Sequence, residues 1–153
     1  MQIRLSVKRN LLPVLMLVVA LGLTPVVARQ SSGKSLYQRL GGYDAIAAVV
    51  DDFIGRLVAD KQFSRFFGGS SVDSKKRLRQ LIVDQFCEGT GGPCYYTGRP
   101  MKTSHTGLGI TEQEWDVAAK HLIAALDKFK VPGKEKDEVI AFVTTLKKDI
   151  VEK

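Results

Sequence analysis

Between residues 43 and 58 the apolar side chains Ile46, Val49, Val50, Phe53, Ile54 and Leu57 recur at intervals of three and four, which gathers them on one stripe of a helix. Such a stripe has to be buried, so the segment demands helical partners. The rest of the chain supplies them. Residues 73–87 carry Leu78, Leu81, Ile82 and Phe86 at helical spacing, and residues 111–126 carry Trp115, Ala118, Leu122, Ile123 and Leu126. Pro132 suits the start of a final helix with Val139, Phe142, Val143, Leu146 and Ile150 along one side. A short first helix through Leu36, Tyr37 and Leu40 is capped by Ser35 and ended by Gly41-Gly42. Thr111 and Glu114 have the spacing of a capping box. No segment alternates with the period of a strand and no repeat occurs, so the expected fold class is all-α.

With 153 residues, 44% of them apolar, the chain has room for one domain and enough apolar surface for a packed core. Its N-terminus is different in character. Arg4, Lys8 and Arg9 precede an apolar run over residues 11–23, and no acidic residue occurs before Asp44, the layout of a secretory signal. The run is interrupted by Pro13 and Gly22 and is shorter than the roughly 20 apolar residues that a membrane span needs. A cleaved signal is therefore expected in preference to an uncleaved anchor, with Val26 and Ala28 placing the cut after Ala28. This gives a signal peptide over residues 1–28, a short flexible lead over 29–34 and a globular domain over 35–153. The expected destination is outside the cytoplasm, in the periplasm, with no stable membrane span after cleavage.

Residues 1–28 hold three of the 23 Lys and Arg and none of the 16 Asp and Glu, which leaves 20 basic against 16 acidic side chains and a net charge of +4. Those charges are interleaved along helices and are not gathered into a stripe with aromatics, which argues against nucleic acid as a partner. The densest run, Lys75-Lys76-Arg77-Leu78-Arg79, reads as a solvated helix face.

Gly89-Thr90-Gly91-Gly92-Pro93 and the following Gly98 and Pro100 rule out a regular helix there and predict a long irregular loop over residues 89–110. Loops of that length within a compact domain are commonly functional. This one contains Tyr95, Tyr96, Met101, Leu108 and His105, one of two histidines in the chain. It can wrap a group that the protein does not itself supply. By spacing alone, His105 is open to two readings, a metal ligand or a surface side chain.

Taken in order, Ser35-Leu36-Tyr37, Leu40-Gly41-Gly42, Phe66-Phe67, Gly91-Gly92-Pro93, Tyr96-Thr97-Gly98, Met101-Lys102, His105, Gly107 and Gly109-Ile110 resemble the group I truncated haemoglobins. The resemblance covers nearly the whole of residues 35–153. It implies a truncated globin, a two-over-two helical sandwich with a vestigial first helix and an extended loop, here residues 89–104, in place of most of the proximal helix. It further implies one haem b per chain, whose iron takes one imidazole and whose macrocycle needs apolar walls. Carried over residue by residue, His105 is the proximal iron ligand, its other ring N–H meeting a backbone carbonyl. Phe67 matches the phenylalanine packed on the macrocycle near its entrance, and Phe53, Ile54, Phe66, Leu78, Ile82 and Met101 complete the expected apolar contacts. Arg99 and Lys102 either meet the haem propionates or are ordinary exposed charges. The family also places a histidine at His121 without using it as the axial ligand, so a satisfied helix histidine is expected there.

On the distal side the sequence departs from the family pattern. A tyrosine commonly follows Asp-Phe on the second helix, yet Asp52-Phe53 is followed by Ile54, and the glutamine often found 23 residues before the proximal histidine is replaced by Ile82. Gln80 and Gln85 could stand in only if the helix were shifted. The resemblance implies reversible binding of diatomic gases (oxygen, carbon monoxide, nitric oxide) for transport, sensing or scavenging, with an electron-donating reductase as a possible partner. The loss of both donors puts tight oxygen retention in doubt. The alternatives are a haem enzyme, either a nitric oxide dioxygenase or a peroxidase-like catalyst, and a chain that has lost haem and binds a partner. Cys87 and Cys94 are the only cysteines; in an exported protein they read as a disulfide, with two buried thiols as the alternative.

Overall fold

The computed structural model describes residues 33–153, and the expected signal peptide lies outside them. The elements run in the order α1 (Leu36–Arg39), α2 (Tyr43–Ala59), a 3₁₀ turn (Lys61–Phe63), α3 (Ser64–Phe67), α4 (Val72–Gly89), α5 (Met101–His105), α6 (Glu112–Lys128), α7 (Gly133–Thr145) and α8 (Lys147–Ile150). No strand occurs among the described residues.

The ends of these helices follow from local chemistry. Ser35 accepts the Gln38 N–H at 3.3 Å while the Gln38 side chain accepts the Ser35 N–H at 3.0 Å, a reciprocal cap that satisfies two donors. Gly41 and Gly42 then adopt φ of +96° and +83°, which stops α1 after one turn. Ser71 caps α4 by accepting the Ser74 N–H at 3.1 Å, so the helix starts at Val72. The expected capping box opens α6, with Thr111 accepting the Glu114 N–H at 3.1 Å and Glu114 accepting the Thr111 N–H at 2.9 Å.

α2 packs across both α4 and α6, and α6 packs against α7, which forms the two-over-two sandwich. The buried cluster joins Ile46, Val49 and Val50 of α2, Val83 and Phe86 of α4, Leu122, Ala125 and Leu126 of α6 and Val139 of α7. Full burial of one such side chain stabilises by about 1.5–3 kcal/mol. α4 and α7 approach closely at Gly89, where a Cβ would fall 2.2 Å from the Phe142 ring. The Phe142 ring in turn meets Phe86 edge-on, with centroids 5.8 Å apart.

Two expectations of local structure are corrected. The loop over residues 89–110 is not irregular throughout: α4 continues to Gly89, and residues 101–105 form a helical turn after Pro100. No Gly or Pro lies between Met101 and Thr106, and the Ser104 N–H reaches the Pro100 carbonyl at 3.0 Å. The final helix is also not continuous, because it breaks at Leu146. Thr144 and Thr145 turn their hydroxyls back onto the carbonyls of Ile140 and Phe142 at 2.7 and 2.6 Å, bonds that bend and weaken a helix, and the Leu146 N–H takes the Val143 carbonyl at 3.0 Å. Of the expected stripe on this segment only Val139 is fully buried.

The sulfurs of Cys87 and Cys94 are joined, with Cα atoms 5.7 Å apart. The bridge ties the last turn of α4 to the loop that leads to α5. The same corner is held by the Gly92 N–H on the Cys87 carbonyl at 2.8 Å and the Tyr37 N–H on the Thr90 carbonyl at 2.8 Å.

Candidate functional site

His105 is the last residue of α5 and is half-buried. Its Nδ1 lies 2.8 Å from the Met101 carbonyl oxygen. A carbonyl can only accept, so Nδ1 carries the proton and donates, and the Nε2 lone pair is left for another ligand. That tautomer and that carbonyl contact are what a metal-ligating imidazole uses to fix its ring and raise its basicity.

The turn after His105 is held from two directions. Gly107 and Gly109, at φ of +87° and +61°, direct both their N–H groups onto the Glu152 carboxylate, the first at 2.7 Å. Arg65 donates to the carbonyls of Leu108 at 2.6 Å and Gly109 at 3.3 Å, and also grips both oxygens of Glu114. The backbone N–H of Thr111, then the Arg65 guanidinium, hold the Glu114 carboxyl below the usual carboxylate range. The N–H groups of Gly107 and Gly109 do the same for Glu152.

Arg65 also connects this turn to the aromatic pair expected at the pocket. Its guanidinium lies 4.0 Å from the centroid of the Phe66 ring, a cation–π contact. Phe66 and Phe67 are half-buried on α3. Phe53 and Ile54 of α2 and Ile82 of α4 are half-buried against the rim of the common core cluster. Leu78, one turn before Ile82, is 37% exposed, and Met101 is half-buried at the start of α5. Arg99 and Lys102 are exposed and make no ion pair among the described residues. An apolar cavity of about 130 Å³, lined in part by Val49, Phe86, Leu126 and Val139, includes none of these candidate residues.

His121 is engaged elsewhere: Nε2 lies 2.9 Å from Asp60 Oδ2, and its ring meets Phe63 edge-on at 6.1 Å. The His121 contact, with the Gln62 N–H, lowers the Asp60 pKa.

The four tyrosine phenols are placed as follows. The Tyr37 phenol accepts the Tyr43 N–H at 3.1 Å, the Tyr43 phenol accepts from Gln80 at 2.7 Å, the Tyr96 phenol donates to the Arg99 carbonyl at 2.9 Å, and Tyr95 is 82% exposed. Gln80 is exposed and also bonds Asp84, on the side of α4 turned away from Ile82. Gln85 differs from it. Three residues beyond Ile82, Gln85 lies toward the same side of the helix and is half-buried.

Sequence reasoning missed Arg65, Glu114 and Glu152. Only Glu114 had a local signal, its capping-box spacing; the other two act on partners more than 40 residues away.

A family model described as "Bacterial-like globin" matches residues 35–152. A "Group 1 truncated hemoglobin" of Mycolicibacterium paratuberculosis is 38% identical over 122 residues, covering 80% of this chain and 88% of that protein. One of Nostoc sp. is 31% identical over 119 residues, covering 78% and 98%. Among solved structures, the truncated hemoglobin of Tetrahymena pyriformis in its Fe(III) form is similar with a TM-score of 0.71 at 26% identity, covering 78% of this chain and all of that one.

Proposed function

Because the chain belongs to the bacterial-like globins, among the group 1 truncated haemoglobins, we propose that it binds one haem b per chain through His105 and takes up diatomic gases at the ferrous iron. The observation that carries the assignment of His105 is the bond from its Nδ1 to the Met101 carbonyl at 2.8 Å, which leaves Nε2 as the free donor of the ring. His121, the other histidine, has its Nε2 committed to Asp60. The donor chemistry and the apolar side chains of α2, α3 and α4 fit a haem.

Haem supplies an iron with one position for a gas. The protein's part is to hold the imidazole, exclude water and choose the polarity of the distal wall. Phe53, Ile54, Leu78 and Ile82 contribute dispersion contacts and no donor, while Phe66, Phe67 and Met101 offer apolar walls and Arg99 and Lys102 exposed cations for the propionates. A wall of this kind favours ligands of low polarity over oxygen and lends no support to a nitric oxide dioxygenase or peroxidase role. An electron-donating reductase would keep the iron ferrous. Export belongs to the same proposal, supported by the signal-like residues 1–28 and by a disulfide that suits an oxidising compartment.

Absorption spectra of the oxidised, reduced and carbon monoxide-bound protein test the haem assignment, and haem titration of His105→Ala and His121→Ala tests the ligand. The first variant is expected to lose stable binding and the second to keep it. Equal retention by both refutes the assignment.

A further inference from the structure

α5 is a single turn of five residues, too short to hold itself in place. What fixes its position is therefore a matter of tertiary contacts. It packs against α8, and the chain beyond α8 returns alongside the segment that follows His105. There the Glu152 and Lys153 N–H groups reach the Ile110 carbonyl at 2.8 and 3.3 Å, and the Glu112 N–H reaches the Lys153 carbonyl at 2.9 Å. This brings the Glu152 carboxylate to the inside of the turn, one oxygen on the Gly107 N–H and the other on the Gly109 N–H.

The two glycines are needed for that arrangement by conformation. A Cβ on Gly107 would meet nothing within 4 Å, yet its φ of +87° is one that side chains rarely adopt. With both residues in this region, two N–H groups converge on one carboxylate and form a small anion-binding nest. Arg65 takes the carbonyls of Leu108 and Gly109, so the donors and acceptors of the turn are held by opposite charges. The Leu108 N–H closes onto the His105 carbonyl at 3.1 Å, which carries the constraint to the histidine itself.

We propose that Glu152 is a positioning residue for the iron ligand: by clamping Gly107 and Gly109 it sets where α5 ends and how the His105 ring is presented. The proposal rests on the reading of His105 as the proximal ligand. It assigns the last residues of the chain a part in the haem site, as a strap across the proximal turn.

The test is the iron–histidine stretching band of the ferrous, five-coordinate protein in resonance Raman, together with the rate of haem loss. Glu152→Ala removes both charge-assisted bonds, so its band is expected to broaden and move to lower frequency and haem loss to accelerate by about tenfold or more. Glu152→Gln keeps an acceptor without the charge and is expected to lie between Glu152→Ala and the unmodified protein. Lys147→Ala, which breaks the pair with Glu112 in the same corner and leaves the glycine amides alone, is expected to keep the original band. In haem-free protein, amide exchange at Gly107 and Gly109 should quicken in Glu152→Ala. If that variant does not fold, Glu152→Gln decides, its fold checked by circular dichroism. An unchanged band and haem-loss rate in the folded Glu152 variant overturns this proposal alone. Absence of an iron–histidine band in the unmodified haem-loaded protein overturns the His105 reading as well.

Discussion

Reducing the Cys87–Cys94 bridge should destabilise the protein without unmaking its fold. The bond closes a loop with a sequence separation of 7, and the chain-entropy relation for about eight residues gives a loss of about 2.5 kcal/mol on reduction, through greater freedom of the unfolded chain. The native corner has its own supports. The Thr90 hydroxyl donates to the Phe86 and Cys87 carbonyls at 2.7 and 3.2 Å, and the Gly92 N–H holds the Cys87 carbonyl at 2.8 Å. None of these bonds uses a sulfur atom, so the cost of reduction is expected from the unfolded state and not from lost native contacts. For a domain of roughly 120 residues, an unfolding entropy of about 0.25 kcal/mol/K converts 2.5 kcal/mol to a fall in Tm of about 10 °C. The assay is thermal unfolding of the haem-free protein by circular dichroism, oxidised, reduced with a dithiol, and as the Cys87→Ser/Cys94→Ser double variant. Two reactive thiols in denatured, unreduced protein would sink the pairing, and a Tm that stays within about 2 °C would refute the entropic argument.

Ile54→Tyr places a phenol where related proteins have one, and the gain of about one hydrogen bond to bound oxygen should slow oxygen release roughly tenfold or more, with carbon monoxide release changed much less; stopped-flow dissociation measures both. Slow release from the unmodified protein would instead point to Gln85 as a working donor. The Glu114 carboxyl is held low in the folded state, so its stabilisation is complete above the unfolded value of about 4.3 and is lost as pH falls through the lower folded value. Glu114→Gln should therefore show a shallower fall of urea midpoint with acidification, and an unchanged slope counts against the Arg65–Glu114–Thr111 network. The export proposal expects a mature chain that begins at Arg29, read by N-terminal sequencing of fractionated cells; an intact Met1 on soluble cytoplasmic protein would contradict it.

The long amphipathic helices were legible because their periodicity spans several turns, and the Thr111–Glu114 cap because both partners lie within one turn. The break at Leu146 was not, since the apolar spacing runs through it and the Thr144 and Thr145 hydroxyls leave no mark on that spacing. α5 was hidden by its neighbours: one turn of helix carries too little periodicity to stand out among glycines and prolines. The order of motifs singled out His105, but its supports came from three separate parts of the chain. Arg65 looks like any helix arginine, and Glu152 like a charged terminal residue, until the fold brings them to the two sides of one turn. The two glutamines show the limit in the other direction. Helical angle separates Gln80, two residues before Ile82, from Gln85, three residues after it, but spacing alone does not say where either amide reaches.

Gly89 and Phe142 have a bearing on how relatives of this chain can diverge. The notch in α4 and the ring that fills it are halves of one volume, since even a methyl group at residue 89 would overlap Phe142 carbons at 2.2 and 2.3 Å. A side chain at residue 89 obliges the Phe142 ring to shift. A relative that gains a side chain at the first must shed ring atoms at the second or move α7 outward, and outward movement would uncover Val139, which is 1% exposed. The two sites should therefore change as a pair, with Phe86 adjusting beside them because its ring meets Phe142 edge-on. Small-to-large exchange at residue 89 should be tolerated best together with the reverse exchange at residue 142.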